Sequence, residues 1–141
     1  MSVDAPELVY IEDNEDEVYV FRRSLQRIDR KAVTLQHYGD ASVALEELTA
    51  RGAHELPKLV LLDLSLPGLD GRGFLEQWAQ IPHLAALPVV VWSSSDQPGD
   101  VRFCLEHGAR AYHVKPFGLH ELDRDLSLVL SYWLDTVEVP K

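Results

Sequence analysis

Leu59-Val60-Leu61-Leu62-Asp63-Leu64-Ser65-Leu66-Pro67-Gly68-Leu69-Asp70-Gly71 is an aliphatic run that stops at one carboxylate and then breaks into a turn. Four consecutive apolar residues bounded by turn signals fit a strand buried on both faces, as in a parallel sheet. Asp63 falls where that strand would end, and Pro67-Gly68 and Asp70-Gly71 supply turn chemistry before the next helix-like segment. Ligands of open α/β sheets bind outside the carboxyl ends of the strands. Asp63 is therefore the first candidate for a working residue.

The same pattern recurs on either side of this stretch. Leu8-Val9-Tyr10-Ile11 ends in Glu12-Asp13-Asn14, Pro88-Val89-Val90-Val91-Trp92 ends in Ser93-Ser94-Ser95-Asp96, and a short run from Arg110 to Val114 is broken by Lys115-Pro116-Phe117. Val33, Leu35 and His37 alternate with polar residues, as in a strand near a sheet edge. Between these runs the apolar residues take helical spacing. They are Val18, Phe21, Leu25 and Ile28 in the first helix, and Val43, Ala44, Leu45 and Leu48 in the second, after a capping Asp40. A third helix carries Phe74, Leu75 and Trp78 and is closed by Ile81-Pro82. The fourth, after Pro98-Gly99, turns Val101, Cys104 and Leu105 inward and stops at Gly108. The last, from Leu119 to Leu134, shows Leu122, Leu126, Val129, Leu130 and Trp133 on one face. Five strands alternating with five helices predict an α/β fold with a parallel sheet and right-handed crossovers.

Composition narrows the function classes. With 141 residues the chain is expected to form one domain over 1-141, its core spanning about 7-135 and a short tail 136-141. A formal net charge of -10 disfavours nucleic acid as a partner, because phosphate neutralisation needs clustered Lys and Arg. The single cysteine, Cys104, makes no internal disulfide and suits a reducing compartment. The first residues lack a signal-peptide pattern, and no run approaches the roughly 20 apolar residues that span a bilayer. The expectation is a soluble cytoplasmic protein without membrane insertion. The six histidines, His37, His54, His83, His107, His113 and His120, show no ligand spacing and read as surface or structural.

In a parallel sheet the strand ends share one edge, which collects Glu12, Asp13, Asp63, Ser93 and Lys115. If the first and third strands are neighbours, three carboxylates meet where strand order reverses. Such a cluster repels itself unless a cation neutralises it, and an all-oxygen site suits Mg²⁺. Lys115 and the Ser93 hydroxyl would then face a dianionic phosphoryl group, a charge arrangement for phosphoryl transfer. Simpler readings stand beside these. Asp63, or Glu12 and Asp13, could cap helices, Lys115 could be a solvated loop lysine, and Tyr112 a half-buried strand tyrosine.

Together these residues resemble the response-regulator receiver domain of two-component signalling. The pieces that match are Glu12-Asp13, Asp63 through Gly71, Ser93-Ser94, Tyr112 and Lys115-Pro116, in order, over residues from about 8 to 130. The resemblance implies a flavodoxin-like, doubly wound five-stranded sheet of order 2-1-3-4-5. It implies that Asp63 accepts a phosphoryl group from a sensor histidine kinase, and that Mg²⁺ is held by Glu12, Asp13, Asp63 and the backbone carbonyl of Ser65. Ser93, Ser94 and Lys115 would bind the phosphoryl oxygens, with Ser93 and Tyr112 as switch residues. Glu12 stands where an aspartate is commoner and Ser93 where a threonine is commoner; each keeps the required chemistry. Ser65 and Ser95 fall at positions that tune dephosphorylation in the family.

A narrower resemblance is to the stand-alone regulators associated with bacterial phytochromes. It rests on Glu12-Asp13-Asn14, Trp92-Ser93-Ser94-Ser95, Asp100-Val101 and Tyr132-Trp133-Leu134 with a Val-Pro tail. It implies a phytochrome as the kinase and a homodimer through the fourth helix, fifth strand and last helix (the α4-β5-α5 face), with Tyr132 and Trp133 in that surface or in the core. The chain would catalyse only its own phosphorylation and dephosphorylation, and would not otherwise be an enzyme. Two alternatives are a Mg²⁺-dependent phosphohydrolase using Asp63 and a phosphorylation-independent interaction module. The first would want an acid where Ser65 stands, and the second a lost Asp63, Ser93 or Lys115.

Overall fold

A computed structural model of the chain describes residues 5–28, 30, 32–64 and 70–136. The Ser65 carbonyl, the Pro67-Gly68 turn and the tail beyond Thr136 lie outside the described residues. The strands are β1 (Leu8–Ile11), β2 (Leu35–Tyr38), β3 (Leu59–Leu62), β4 (Val89–Ser93) and β5 (Ala111–Val114). The long helices are α1 (Glu15–Arg27), α2 (Ala41–Ala50), α3 (Gly71–Trp78), α4 (Pro98–Glu106) and α5 (Leu119–Leu130). All strand pairs are parallel and the order is β2-β1-β3-β4-β5, as the family resemblance implied.

Side chains alternate across the pleat, so each strand feeds two cores. Val9, Ile11, Val60, Leu62, Val89 and Val91 pack with α2, α3 and α4 on one face. Leu8, Tyr10, Leu59, Leu61, Val90 and Trp92 pack with α1 and α5 on the other. Every residue of β1, β3 and β4 is buried, which is why these strands read as unbroken apolar runs rather than as alternation. Edge strand β2 is half-buried along most of its length, consistent with its alternating sequence.

Several expectations need correction. Pro82 opens a separate helical turn, Pro82–Ala85, as well as following the end of α3, because its ring is compatible with the first turn of a helix. Val43 is exposed, since the buried stripe of α2 is Ala41, Ala44, Leu45 and Leu48 and Val43 lies off it. Leu105 is exposed as well: α4 turns Cys104 and Phe103 toward the sheet, and Leu105 points outward. The last helix is α-helical only to Leu130 and continues as a π-helical segment, Ser131–Thr136. At the end of α4, Gly108 has φ of 100°, the left-handed conformation that stops a helix.

Candidate functional site

Parallel register sets the site. Ile11 pairs with Leu62, so Glu12 and Asp63 leave adjacent strands at the same level, and Asp63 N–H donates to the Ile11 carbonyl at 3.1 Å. One carboxylate oxygen from each of Glu12, Asp13 and Asp63 lies within 4.8 Å of the others. Glu12 and Asp63 are buried, whereas Asp13 is exposed at the rim. Helix α1 starts at this edge, yet its cap is Asn14, whose side chain accepts from the amides of Asp16 at 2.9 Å and Glu17 at 3.1 Å. The simpler reading of Glu12 and Asp13 as capping residues therefore loses its ground.

Lys115 follows β5 and reaches back across the sheet end. Its Nζ lies 2.6 Å from Glu12 Oε1 and 3.5 Å from Glu17 Oε2, and its backbone N–H donates to the Ser93 carbonyl at 2.7 Å. Lys115 is thus a largely shielded, paired cation rather than a solvated loop lysine. Burial drives the Glu12 carboxyl above its ordinary range; the hydrogen bond and charge of Lys115 oppose that rise, while the nearby Asp63 charge adds to it. The Tyr10 hydroxyl, pushed far above its usual range by burial and then by the surrounding carboxylates, stays protonated and donates to Glu12 Oε1 at 3.3 Å.

The second side of the site hangs from β4. Ser93 is fully buried, in the last position of that strand, with Ser94 exposed after it. Ser93 Oγ accepts the Ser95 N–H at 3.2 Å. Tyr112, opposite Val91 in β5, packs against the α2–α4 core and donates its hydroxyl to the Ser95 carbonyl at 2.7 Å. Of the two aromatics singled out near the C-terminus, Trp133 packs against the α1–α5 core and Tyr132 is exposed, the two rings meeting edge to face at 5.1 Å.

Some residues take roles at the site that the sequence did not reveal. Asp70 caps α3 through the Gly73 N–H at 2.9 Å, and this brings Gly71 against the phosphoacceptor candidate. A Cβ on Gly71 would sit 2.8 Å from the Asp63 carbonyl oxygen and from Leu64 Cα, closer than such contacts occur. His37 Nε2–H donates to the Glu12 carbonyl at 2.6 Å, fixing the backbone that carries this carboxylate. The Asp70-Gly71 dipeptide signals a turn, but not which backbone the glycine must approach.

The donor set suits a hard divalent cation: three carboxylates, two of them buried, offset by one lysine, with no sulfur or imidazole ligand among the described residues. That arrangement would hold Mg²⁺ through Glu12, Asp13 and Asp63.

The family model of the response regulator receiver domain matches residues 8–127. The response regulator Rcp1 of Synechocystis is 32% identical over 138 residues, covering 94% of this chain and 92% of its own. The probable methanogenesis regulatory protein FilR2 of Methanothrix harundinacea is 31% identical over 129 residues, with 90% and 83% covered. Among solved structures, the Mn²⁺-bound form of Rcp1 superposes with a TM-score of 0.81 at 31% identity, over 96% of this chain and 100% of that one. The phosphorylated cyanobacterial phytochrome response regulator RcpA gives 0.85 at 26% identity, over 97% and 99%.

Proposed function

Because the chain belongs to the response regulator receiver domain family, we propose that Asp63 is its phosphoacceptor and that the protein works as a stand-alone phosphorylation switch. The observation that carries this reading is the convergence of buried Asp63 with Glu12 and Asp13, beside a lysine already drawn into the cluster. An Asp63 carboxylate oxygen attacks the phosphorus of a phosphohistidine; the new P–O bond forms as the P–N bond breaks, and the imidazole leaves with the bonding pair. Glu12, Asp13 and Asp63 would hold Mg²⁺, joined by the Ser65 carbonyl. When bound, the ion supplies positive charge against the phosphoryl oxygens. Lys115, paired with Glu12 beforehand, turns to the new dianion. The Ser93 hydroxyl donates to a phosphoryl oxygen, with Ser94 contributing at the rim, and Tyr112 follows Ser93 through Ser95.

The partner reading draws on the relatives. RcpA is a phytochrome response regulator, and a phytochrome-type sensor histidine kinase is the phosphodonor we assign. Leu105 of α4, Val114 of β5, and Leu119, Leu128 and Tyr132 of α5 and its continuation are exposed apolar side chains, which supports a homodimer through that face. No described helix is long and apolar enough to cross a membrane, and we assign a cytoplasmic site of action. The net charge of -10 speaks against nucleic acid as the target.

The test is intact-mass measurement after incubation with Mg²⁺ and acetyl phosphate or a cognate kinase. The wild type is expected to gain one acid-labile phosphoryl group and Asp63→Asn none. An adduct that persists in Asp63→Asn sinks the reading.

A further inference from the structure

The loop after β4 carries only polar residues, Ser94, Ser95, Asp96 and Gln97. Ser94, Asp96 and Gln97 are exposed, so apolar packing does little to fix it. Ser95 is nonetheless held from three directions. Its N–H donates to Ser93 Oγ at 3.2 Å, its carbonyl accepts the Tyr112 hydroxyl at 2.7 Å, and its own hydroxyl donates to Asp100 Oδ2 at 2.5 Å. The Ser95 hydroxyl also accepts the Gln97 N–H at 3.3 Å.

Asp100, in the first turn of α4, is paired with the Arg72 guanidinium of α3, which lies 6.0 Å from the centre of the Phe103 ring. The Ser95 hydroxyl, and then Arg72, hold the Asp100 carboxyl below its ordinary range, so it remains an anionic acceptor at neutral pH. Two helices thereby grip one loop residue, and that residue is hydrogen-bonded to both the Ser93 and the Tyr112 hydroxyls.

We propose that Arg72 and Asp100 are positioning residues for phosphoryl transfer: through Ser95 they brace the β4–α4 loop so that the Ser93 hydroxyl stands ready before the phosphoryl group arrives. The inference rests on Asp63 being the acceptor. Donors fixed in advance need no reorganisation as charge develops on the phosphoryl oxygens. The brace meets the site only on the Ser93 side, away from the carboxylates, so its loss should slow phosphoryl uptake and leave cation binding alone.

The experiment compares second-order rates of phosphoryl uptake from acetyl phosphate at saturating Mg²⁺, read by intact mass, with Mg²⁺ affinity read by calorimetric titration. Arg72→Ala and Asp100→Ala are each expected to slow uptake by about three- to tenfold, the scale of the net worth of one ordinary hydrogen bond. Mg²⁺ affinity should stay within about twofold, and the double variant should be no slower than the worse single, since both act through one path. Arg72→Lys, which keeps the charge, should recover most of the rate and guards against a folding defect in the alanine variants. Unchanged or faster uptake in either single, multiplicative loss in the double, or a parallel fall in Mg²⁺ affinity overturns the brace. A wild type that takes up no phosphoryl group overturns the proposed acceptor first, and the brace with it.

Discussion

Burial holds the Glu12 carboxyl above its ordinary value of 4.5, against the opposing pull of the Lys115 ammonium. An acid whose folded value is raised contributes stability that is complete below its unfolded value and is lost as pH rises through the folded one. Without metal, the protein should therefore lose stability as pH rises from 4.5 through the folded value of Glu12. Glu12→Gln should flatten that slope, and Mg²⁺ should oppose it in the wild type by binding the ionised form. Melting temperatures between about pH 5 and pH 8 in chelator check this; an identical slope in Glu12→Gln would place its source elsewhere. Gly71 is sensitive to substitution as well. Its missing Cβ is what lets the start of α3 lie against the Asp63 backbone, 2.8 Å from where that atom would be. Gly71→Ala is expected to cost about 1–3 kcal/mol, as overpacking does, and to slow phosphoryl uptake because Asp63 itself must shift. Denaturant midpoints and the mass assay measure the two effects separately.

Between elements, α1 and α5 are tied on the face opposite the brace. The buried Ser24 hydroxyl donates to Asp123 Oδ1 at 2.6 Å, and Arg27 grips both carboxylate oxygens at 2.9 Å. Arg27 first, with Ser24 helping, keeps the Asp123 carboxyl below its ordinary range. The sign is opposite to that of Glu12: this contribution is present above the unfolded value and is lost as pH falls through the folded one. Ser24→Ala should cost about 1 kcal/mol, the net worth of one hydrogen bond, seen as a lower denaturant midpoint with an unchanged slope. Phosphoryl uptake should be untouched, because the tie makes no contact with the strand ends. The elements themselves were largely legible in the sequence, since the buried strands are unbroken apolar runs and the helices carry stripes. Details that depend on neighbours were not. Which residue caps α1 depends on backbone geometry at Asn14, and whether Leu105 faces in depends on how Phe103 seats against the core.

Across the whole molecule, sheet order does most of the work of assembling the site. Order β2-β1-β3-β4-β5 places β1 beside β3, which makes neighbours of Glu12 and Asp63 although they lie far apart in sequence. The candidate site was readable because each contributor stands at the end of an apolar run, where a short-range pattern marks it. The brace was not, because Arg72, Ser95 and Asp100 follow no shared period and meet only once α3 and α4 cover the same face of the sheet. Nor did sequence reveal that Lys115 rests on Glu12. The most direct measurement is borohydride trapping of the phosphorylated protein followed by peptide mapping, since reduction of an aspartyl phosphate leaves homoserine at the modified position. Homoserine is expected at position 63 alone, formed only when Mg²⁺ and a phosphodonor are both present. Homoserine at any other aspartate, or a phosphoryl group that resists reduction because it sits on a histidine or serine, would contradict it.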